Sequence, residues 1–131
     1  MRIWIAAAIA AMSLLGAALL GGALPGCTAG QKPSVRERME IGDRYMDWGM
    51  VYYNSWLRDH NRQYLDLARR HAQNAVLSYF ELQLALGHSY PDFYILDKRR
   101  LRGCRFLSEI DGAAQRERVA FGDAGREGCL K

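Results

Sequence analysis

Apolar residues recur at steps of three and four positions through three segments of the chain, and this spacing predicts three amphipathic α-helices. The first predicted helix runs from about residue 35 to residue 58 and carries two neighbouring apolar stripes. The first stripe is Val35, Met39, Gly42, Met46, Gly49, Tyr53 and Trp56, and the second is Ile41, Tyr45, Trp48 and Tyr52. A helix with so wide an apolar surface must bury most of its circumference, within its own domain or against a partner.

The second predicted helix, from about residue 62 to residue 86, has the most regular pattern of the three. Its apolar residues follow heptad spacing: Leu65, Ala68, Ala72, Ala75, Tyr79, Leu82 and Leu86. The alanines allow a neighbouring helix to approach closely along the first half, whereas Tyr79 and Leu82 need more room in the second half. Asn61 is placed to cap the start of this helix, and Gly87 is placed to end it.

A third helix is predicted to open at Ser89-Tyr90-Pro91-Asp92, which has a capping-box-like pattern with an early proline. It is predicted to end at Gly112, before a short fourth helix over residues 113–121 and a loose tail over residues 122–131. The connections are short, so consecutive helices should be antiparallel neighbours. The sequence therefore predicts an all-α domain over residues 35–121: a small up-down bundle of three main helices plus a short C-terminal helix.

The first two predicted helices also carry small residues and tyrosines, and a proline follows the second. This combination resembles a tetratricopeptide-type helix pair. The spacing from Tyr53 to Ala72 is longer than in that motif, and no second copy recurs at a fixed period. The sequence therefore favours a solitary bundle over a repeat array.

The N-terminal segment has a different composition from the rest of the chain. Arg2 places a positive charge at the start, and no charged residue follows from Ile3 to Leu24. A positive start and an apolar run are features of a secretory signal. An apolar run of about 20 residues is also long enough to span a bilayer as an uncleaved signal-anchor helix. Both interpretations place the following domain outside the cytoplasm.

The end of this segment favours the first interpretation. The segment ends in Leu24-Pro25-Gly26-Cys27, which resembles the lipobox of bacterial lipoproteins. In that motif an aliphatic residue, two small residues and a cysteine direct lipid attachment and then cleavage. Leu24, Gly26 and Cys27 match it, and Pro25 stands where Ala, Ser or Thr is usual.

The lipobox resemblance implies a division of the N-terminal region. Residues 1–26 would be the signal peptide, Cys27 would carry the lipid, and residues 27–34 would form a lipid-anchored tether. In lipoprotein terms, Thr28 after the cysteine implies sorting to the outer membrane, facing the periplasm, if the cell has two membranes. The expected location is thus the cell envelope, with the membrane as one partner.

Two cysteines are left once Cys27 is assigned to lipid. Cys104 lies on the apolar side of the third predicted helix, and Cys129 lies in the tail. An even pair in an exported chain favours a disulfide, which would hold the tail against that helix. The alternative is that Cys104 is a small core residue and Cys129 a free thiol. Redox catalysis is not expected, because no Cys-x-x-Cys motif is present.

Composition and motifs argue against several function classes. The chain carries 18 Lys and Arg against 14 Asp and Glu, a net charge of +4 that is too slight to indicate nucleic-acid binding. Asp43 and Asp47 lie one helical turn apart beside Arg44, which is typical of a solvated face. No metal-ligand spacing connects the histidines, which are His60, His71 and His88. No catalytic or nucleotide-binding motif is present, so neither an enzyme, nor a cofactor, nor a metal site is predicted.

Two features are candidates for partner contact. The segment Lys98–Arg105 is rich in cations, which suit anionic lipid headgroups or an acidic partner but are also typical of a solvated helix face. The aromatic residues of the first helix either fill the core or form a docking surface, where Trp, Tyr and Arg are favoured. The predicted partner-binding residues are Trp48, Tyr52, Trp56, Arg102 and Arg105. The sequence thus favours an interaction or scaffolding subunit of an envelope assembly; the alternative is a ligand-binding or enzymatic domain with a pocket between the first two helices.

Overall fold

Three α-helices form the domain, in agreement with the all-α prediction. The computed structural model describes residue 30 and residues 32–121 and 127–129, and it contains no strand within those ranges. Helix α1 spans Val35–Asp59, α2 spans Arg62–Leu86 and α3 spans Phe93–Arg116. The predicted signal peptide and Cys27 lie outside the described residues.

Local hydrogen bonds define where α1 and α2 begin. Ser34 caps α1 in a capping box: the Ser34 side chain accepts from the Glu37 N–H at 3.2 Å, and the Ser34 N–H donates to the Glu37 carboxylate at 2.6 Å. The hydrogen bond that the Ser34 backbone N–H donates to the carboxylate lowers the pKa of Glu37, and the Ser34 side chain lowers it further. Helix α1 ends at Asp59, its C-cap residue His60 adopts a left-handed conformation, and Asn61 caps α2 by accepting from the Gln63 N–H. The turn between α1 and α2 is therefore short.

Helix α2 is the central helix, and it runs antiparallel to both of its neighbours. Gly42 of α1 lies beside Tyr79 and Gly49 beside Ala68, which gives the direction of the first pair. Val76 lies beside Gly103 of α3, and Arg69 bonds Asp111, which gives the direction of the second pair. Much of α2 is completely buried: Leu65, Ala68, Ala72, Ala75, Val76 and Leu82 have no exposed surface.

Small residues set the distance between α1 and α2, as the alanine pattern predicts. A Cβ atom on Gly49 would lie 3.3 Å from the Ala68 carbonyl oxygen and 3.4 Å from the Ala72 nitrogen. Further along, α2 presents Tyr79 instead of alanine, and α1 presents Gly42 opposite to it. The larger side chain is thus accommodated by the absence of one on the facing helix, and the two helices stay packed along their length.

Helix α3 differs from the prediction at both ends. It begins at Phe93 rather than at Ser89, and its N-cap residue Asp92 makes no side-chain cap hydrogen bond. It also continues through Gly112 to Arg116, and residues 117–121 form turns and irregular backbone, so the separate fourth helix over residues 113–121 is not seen. Continuation buries Ala113 and Ala114, which offsets the cost of about 1 kcal/mol for a glycine within a helix.

The C-terminal residues 127–129 lie on α2 and α3, so this part of the predicted loose tail is held. Cys104 and Cys129 are joined in a disulfide. Gly128 is buried, with φ +80°, and a Cβ atom there would lie 3.1 Å from Phe80 Cβ. The Arg100 guanidinium also donates to the Gly128 carbonyl oxygen. A covalent bond, a hydrogen bond and close packing thus hold the same three residues.

Candidate functional site

The two apolar stripes of α1 occupy very different environments. The first stripe supplies the buried residues of the helix, which are Gly42, Met46, Gly49, Tyr53 and Trp56. The second stripe, Ile41, Tyr45, Trp48 and Tyr52, is called the aromatic strip below. Ile41 is 42% exposed and Trp48 is 54% exposed, whereas Tyr45 and Tyr52 are half-buried. The aromatic strip therefore lies at the surface of the domain.

Rings on α2 support the aromatic strip from below. The His71 ring stacks on Tyr52, with centroids 5.3 Å apart, and lies 6.0 Å from the ring of Tyr45. Tyr64 also stacks on Tyr52, with centroids 6.3 Å apart, and Trp48 stacks on Tyr52 at 6.1 Å. The neighbouring rings restrict the rotamers of Tyr52, so this exposed surface is ordered before any partner binds.

Trp56 does not belong to this surface, which corrects its prediction as a partner-binding residue. Its side chain is 4% exposed and packs 5.3 Å from the Tyr53 ring. Tyr53 in turn meets Phe106 of α3 edge-on at 5.5 Å. Trp56 follows the first stripe rather than the second, and that stripe faces the core.

The cationic segment of α3 divides into two groups. Arg99 donates to Asp43 at 2.6 Å, and Arg100 donates to Asp97 at 2.8 Å as well as to the tail. The hydrogen bond from Arg100 lowers the pKa of Asp97. Lys98, Arg102 and Arg105 are exposed. This second group, which includes the predicted Arg102 and Arg105, is the more exposed of the two and forms no ion pair with another described residue.

A polar cluster that the sequence analysis missed connects all three helices. The Tyr79 hydroxyl of α2 donates to one oxygen of Asp43 at 2.6 Å, and Arg99 of α3 donates to the other. Burial raises the pKa of Tyr79, and the hydrogen bond to Asp43 raises it further. Sequence reasoning assigned Asp43 to a solvated face. The available signal was a tyrosine at a core position of α2, because a buried hydroxyl needs a partner.

A cleft of about 330 Å³ lies beside this cluster, lined by Asp43, Met46, Asp47, Tyr79, Arg99 and Arg102. Both oxygens of Asp43 already accept hydrogen bonds, so a ligand would have to compete with Tyr79 and Arg99. His71 lies elsewhere, against the aromatic strip. Among the residues that the structure describes, no three His, Cys, Asp or Glu side chains are grouped to hold a metal ion.

The histidines occupy three separate environments. His60 ends α1, with its Nδ1 atom 3.7 Å from a carboxylate oxygen of Glu117. The ring of His88 lies 4.3 Å from that of Phe93, and His71 supports the aromatic strip. No two of these histidines therefore belong to the same candidate site.

Neither a protein family, nor a curated protein, nor a solved structure matches this chain. Of the helices in the described part of the chain, none is both long and apolar enough to cross a membrane. The geometry of the surfaces is therefore the basis for any functional assignment.

Proposed function

We propose that this protein is a lipid-anchored interaction or scaffolding subunit of a cell-envelope assembly, and that the aromatic strip binds a protein partner. One observation carries the second part of this proposal. Trp48 is 54% exposed although the domain already has a filled core, so its ring is not required to complete the fold.

The chemistry of the aromatic strip suits a protein surface. Trp and Tyr are enriched among the residues that contribute most to binding free energy, because each buries a large area at a small cost in side-chain entropy. Trp48 stacks on Tyr52, and the Tyr52 ring stacks in turn on Tyr64 and His71. A partner would bury an apolar surface that costs little to order.

The anchoring part of the proposal rests on the sequence. The lipobox-like Leu24-Pro25-Gly26-Cys27 supports acylation of Cys27 after removal of residues 1–26 as a signal peptide. Growth with labelled palmitate tests it: the wild type should incorporate label and Cys27→Ala should not. Equal incorporation by both proteins would refute the anchor.

The alternative function, a ligand-binding or enzymatic domain, is less well supported. The cleft that contains Asp43 is the best candidate for a pocket at α1, yet its carboxylate is already bonded to two side chains. The interface between α1 and α2 is filled by close contact of Gly49 with Ala68 and Ala72 and of Gly42 with Tyr79. Little volume is left there for a ligand.

The partner is tested by affinity purification of the lipidated protein from native membranes, with mass spectrometry of the proteins that copurify. In Trp48→Ala/Tyr52→Ala we expect the partner yield to fall roughly tenfold or more, because truncation of a central interface aromatic costs about 2 kcal/mol or more. Circular dichroism should stay helical, because the two side chains lie outside the buried stripe of α1.

A matched control is Leu84→Ala, which removes an apolar side chain that is 69% exposed on α2. Its partner yield should equal that of the wild type. The proposal is wrong if the double variant keeps every partner, or if it unfolds and thereby identifies Trp48 and Tyr52 as core residues.

A further inference from the structure

The solvent face of α3 combines cations with apolar side chains over its first three turns. Tyr94, Ile95 and Leu101 are exposed large hydrophobic residues, and Lys98, Arg102 and Arg105 are exposed cations. These six residues, Tyr94, Ile95, Lys98, Leu101, Arg102 and Arg105, are called the cationic face. Lys98 lies over the Tyr94 ring, 4.5 Å from its centroid, so charge and aromatic surface are directly adjacent.

The topology places the start of the cationic face at the same end of the bundle as the start of α1. Because α1 and α3 are both antiparallel to α2, they run in the same direction. Val35 at the start of α1 and Leu96 near the start of α3 pack in the same core cluster. The residues 28–34 between Cys27 and α1 reach at most about 25 Å when fully extended. A lipid on Cys27 would therefore hold the start of α3 close to the bilayer.

We propose that the cationic face of α3 rests on the membrane surface and binds the headgroups of anionic lipids. This inference rests on the proposed acylation of Cys27. Lys and Arg are attracted to the negative potential of an anionic leaflet, and Tyr and aliphatic side chains suit the interface between headgroups and acyl chains. The bilayer is favoured over an acidic protein because the apolar residues Tyr94 and Ile95 lie at the end that the tether holds near the membrane.

The neighbouring side chains leave the three cations of this face available. Among the described residues, no carboxylate forms an ion pair with Lys98, Arg102 or Arg105. Asp97, which lies beside Lys98 in the chain, already accepts hydrogen bonds from Arg100 at 2.8 Å and from Gln83 at 3.2 Å. Lys98, Arg102 and Arg105 also border an open groove of about 810 Å³, whose walls include Leu101, Leu107 and the Cys104–Cys129 disulfide. A headgroup phosphate can lie against the cations there while its glycerol carbons contact the apolar wall.

Lys98 can report on this contact, because the chain contains only three lysines, Lys32, Lys98 and Lys131. The lipidated protein is inserted through its acyl chains into preformed vesicles of phosphatidylcholine, with or without phosphatidylglycerol. A membrane-impermeant acylating reagent is then added, and the modification of each lysine is measured by mass spectrometry. An Arg70→Lys variant supplies a reporter on an exposed position of α2.

We expect acylation of Lys98 to fall roughly fivefold or more when phosphatidylglycerol is present. Each Lys or Arg near an anionic surface increases the affinity of the protein for that surface by about this factor. Acylation of the reporter in Arg70→Lys should change much less. High salt should restore the reactivity of Lys98, because it screens charges at the membrane surface. Arg102→Glu/Arg105→Glu should also restore it, whereas the matched double charge reversal Arg58→Glu/Arg70→Glu should leave the protection intact.

Equal reactivity of Lys98 in both kinds of vesicle would overturn the proposal. Protection of Lys98 in native membranes but not in protein-free anionic vesicles would also overturn it, and would assign the cationic face to a protein partner. Failure of the anchor is recognised separately, because wild-type protein would then incorporate no palmitate. Palmitate incorporation together with an unprotected Lys98 would reject the cationic face alone.

Discussion

Two tryptophans of α1 differ strongly in burial, although they are the same residue type on the same helix. Trp56 is 4% exposed and packs in the core, whereas Trp48 is 54% exposed and lies on the aromatic strip. The two stripes of α1 are offset by one residue, which rotates one from the other by about 100°. The first stripe faces both α2 and α3. The aromatic strip contacts His71 and Tyr64 of α2, and its half-buried Tyr45 and Tyr52 pack against the core from the side.

The difference follows from how closely α1 and α2 approach. Gly49 lies against the backbone of Ala68 and Ala72, so the axis of contact passes through the first stripe. Each residue of the aromatic strip precedes a residue of the first stripe by one position, so its side chain points about 100° away from this contact. Burial in this domain therefore depends on angular position relative to the small residues, and an aromatic side chain is not buried merely because it is apolar.

The largest expected effect comes from removing the buried tryptophan. Trp56→Ala should lower the free energy of unfolding by about 3–5 kcal/mol, because it leaves a cavity between α1 and the rest of the core. Trp48→Ala should lower it by less than about 1 kcal/mol, because an exposed side chain leaves no cavity. Chemical denaturation followed by circular dichroism measures both values. Similar losses in the two variants would contradict the division of α1 into a buried and an exposed stripe.

A smaller effect is expected at the glycine that faces Tyr79. A Cβ atom on Gly42 would lie 2.5 Å from Cε1 of Tyr79, so Gly42→Ala should destabilise the protein by about 1–3 kcal/mol. The control is Gly112→Ala within α3, where the nearest atom to the new Cβ is the Arg116 Nη1 atom at 3.8 Å. That variant should be more stable by roughly 0.5–1 kcal/mol, because alanine favours the helix. Thermal unfolding measures both effects. If the melting temperatures of both variants shift in the same direction, the close packing of Gly42 against Tyr79 is contradicted.

The smallest expected effect concerns the hydroxyl of Tyr79, and it depends on pH. The pKa of Tyr79 is raised in the folded protein, so its contribution to stability is complete below the ordinary tyrosine pKa of about 10 and is lost as the pH rises beyond it. Tyr79→Phe should lower stability at neutral pH by about 1.5 kcal/mol through loss of the bond to Asp43. It should also reduce the fall in melting temperature above pH about 10.

The control for this pH dependence is Tyr52→Phe on the aromatic strip, which should keep the alkaline loss of the wild type. Melting temperatures of the three proteins across the alkaline range decide the matter. An unchanged alkaline profile in Tyr79→Phe would show that another group is responsible.

The periodic pattern was sufficient to predict the helices themselves. The pattern predicts α1 over residues 35–58 and α2 over residues 62–86, and the observed helices are Val35–Asp59 and Arg62–Leu86. Caps and small-residue spacing are local signals, so they can be read from neighbouring residues. The same local signals are misleading at α3, where they predict an end at Gly112. Glycine weakens a helix by only about 1 kcal/mol, and burial of Ala113 and Ala114 beyond it decides the outcome.

The candidate site is only partly predictable from the sequence, because burial depends on contacts between helices. Trp48 and Tyr52 were identified from their residue types, but so was Trp56, because the sequence contains no direct measure of which stripe faces the core. The cluster of Tyr79, Asp43 and Arg99 joins residues that lie 36 and 56 positions apart. No spacing rule within one helix could connect them.

Periodicity, capping and the positions of Gly and Ala act locally. The amino-acid sequence alone therefore specifies the three helices, their short connections and the close approach of α1 to α2, and it favours the pairing of Cys104 with Cys129. The packing of the helices, in contrast, determines that Trp56 is buried and Trp48 exposed, and that Arg99 and Arg100 are engaged while Lys98 and Arg102 face solvent. The physical reason is that a side chain's exposure and partners depend on which helices pack beside it.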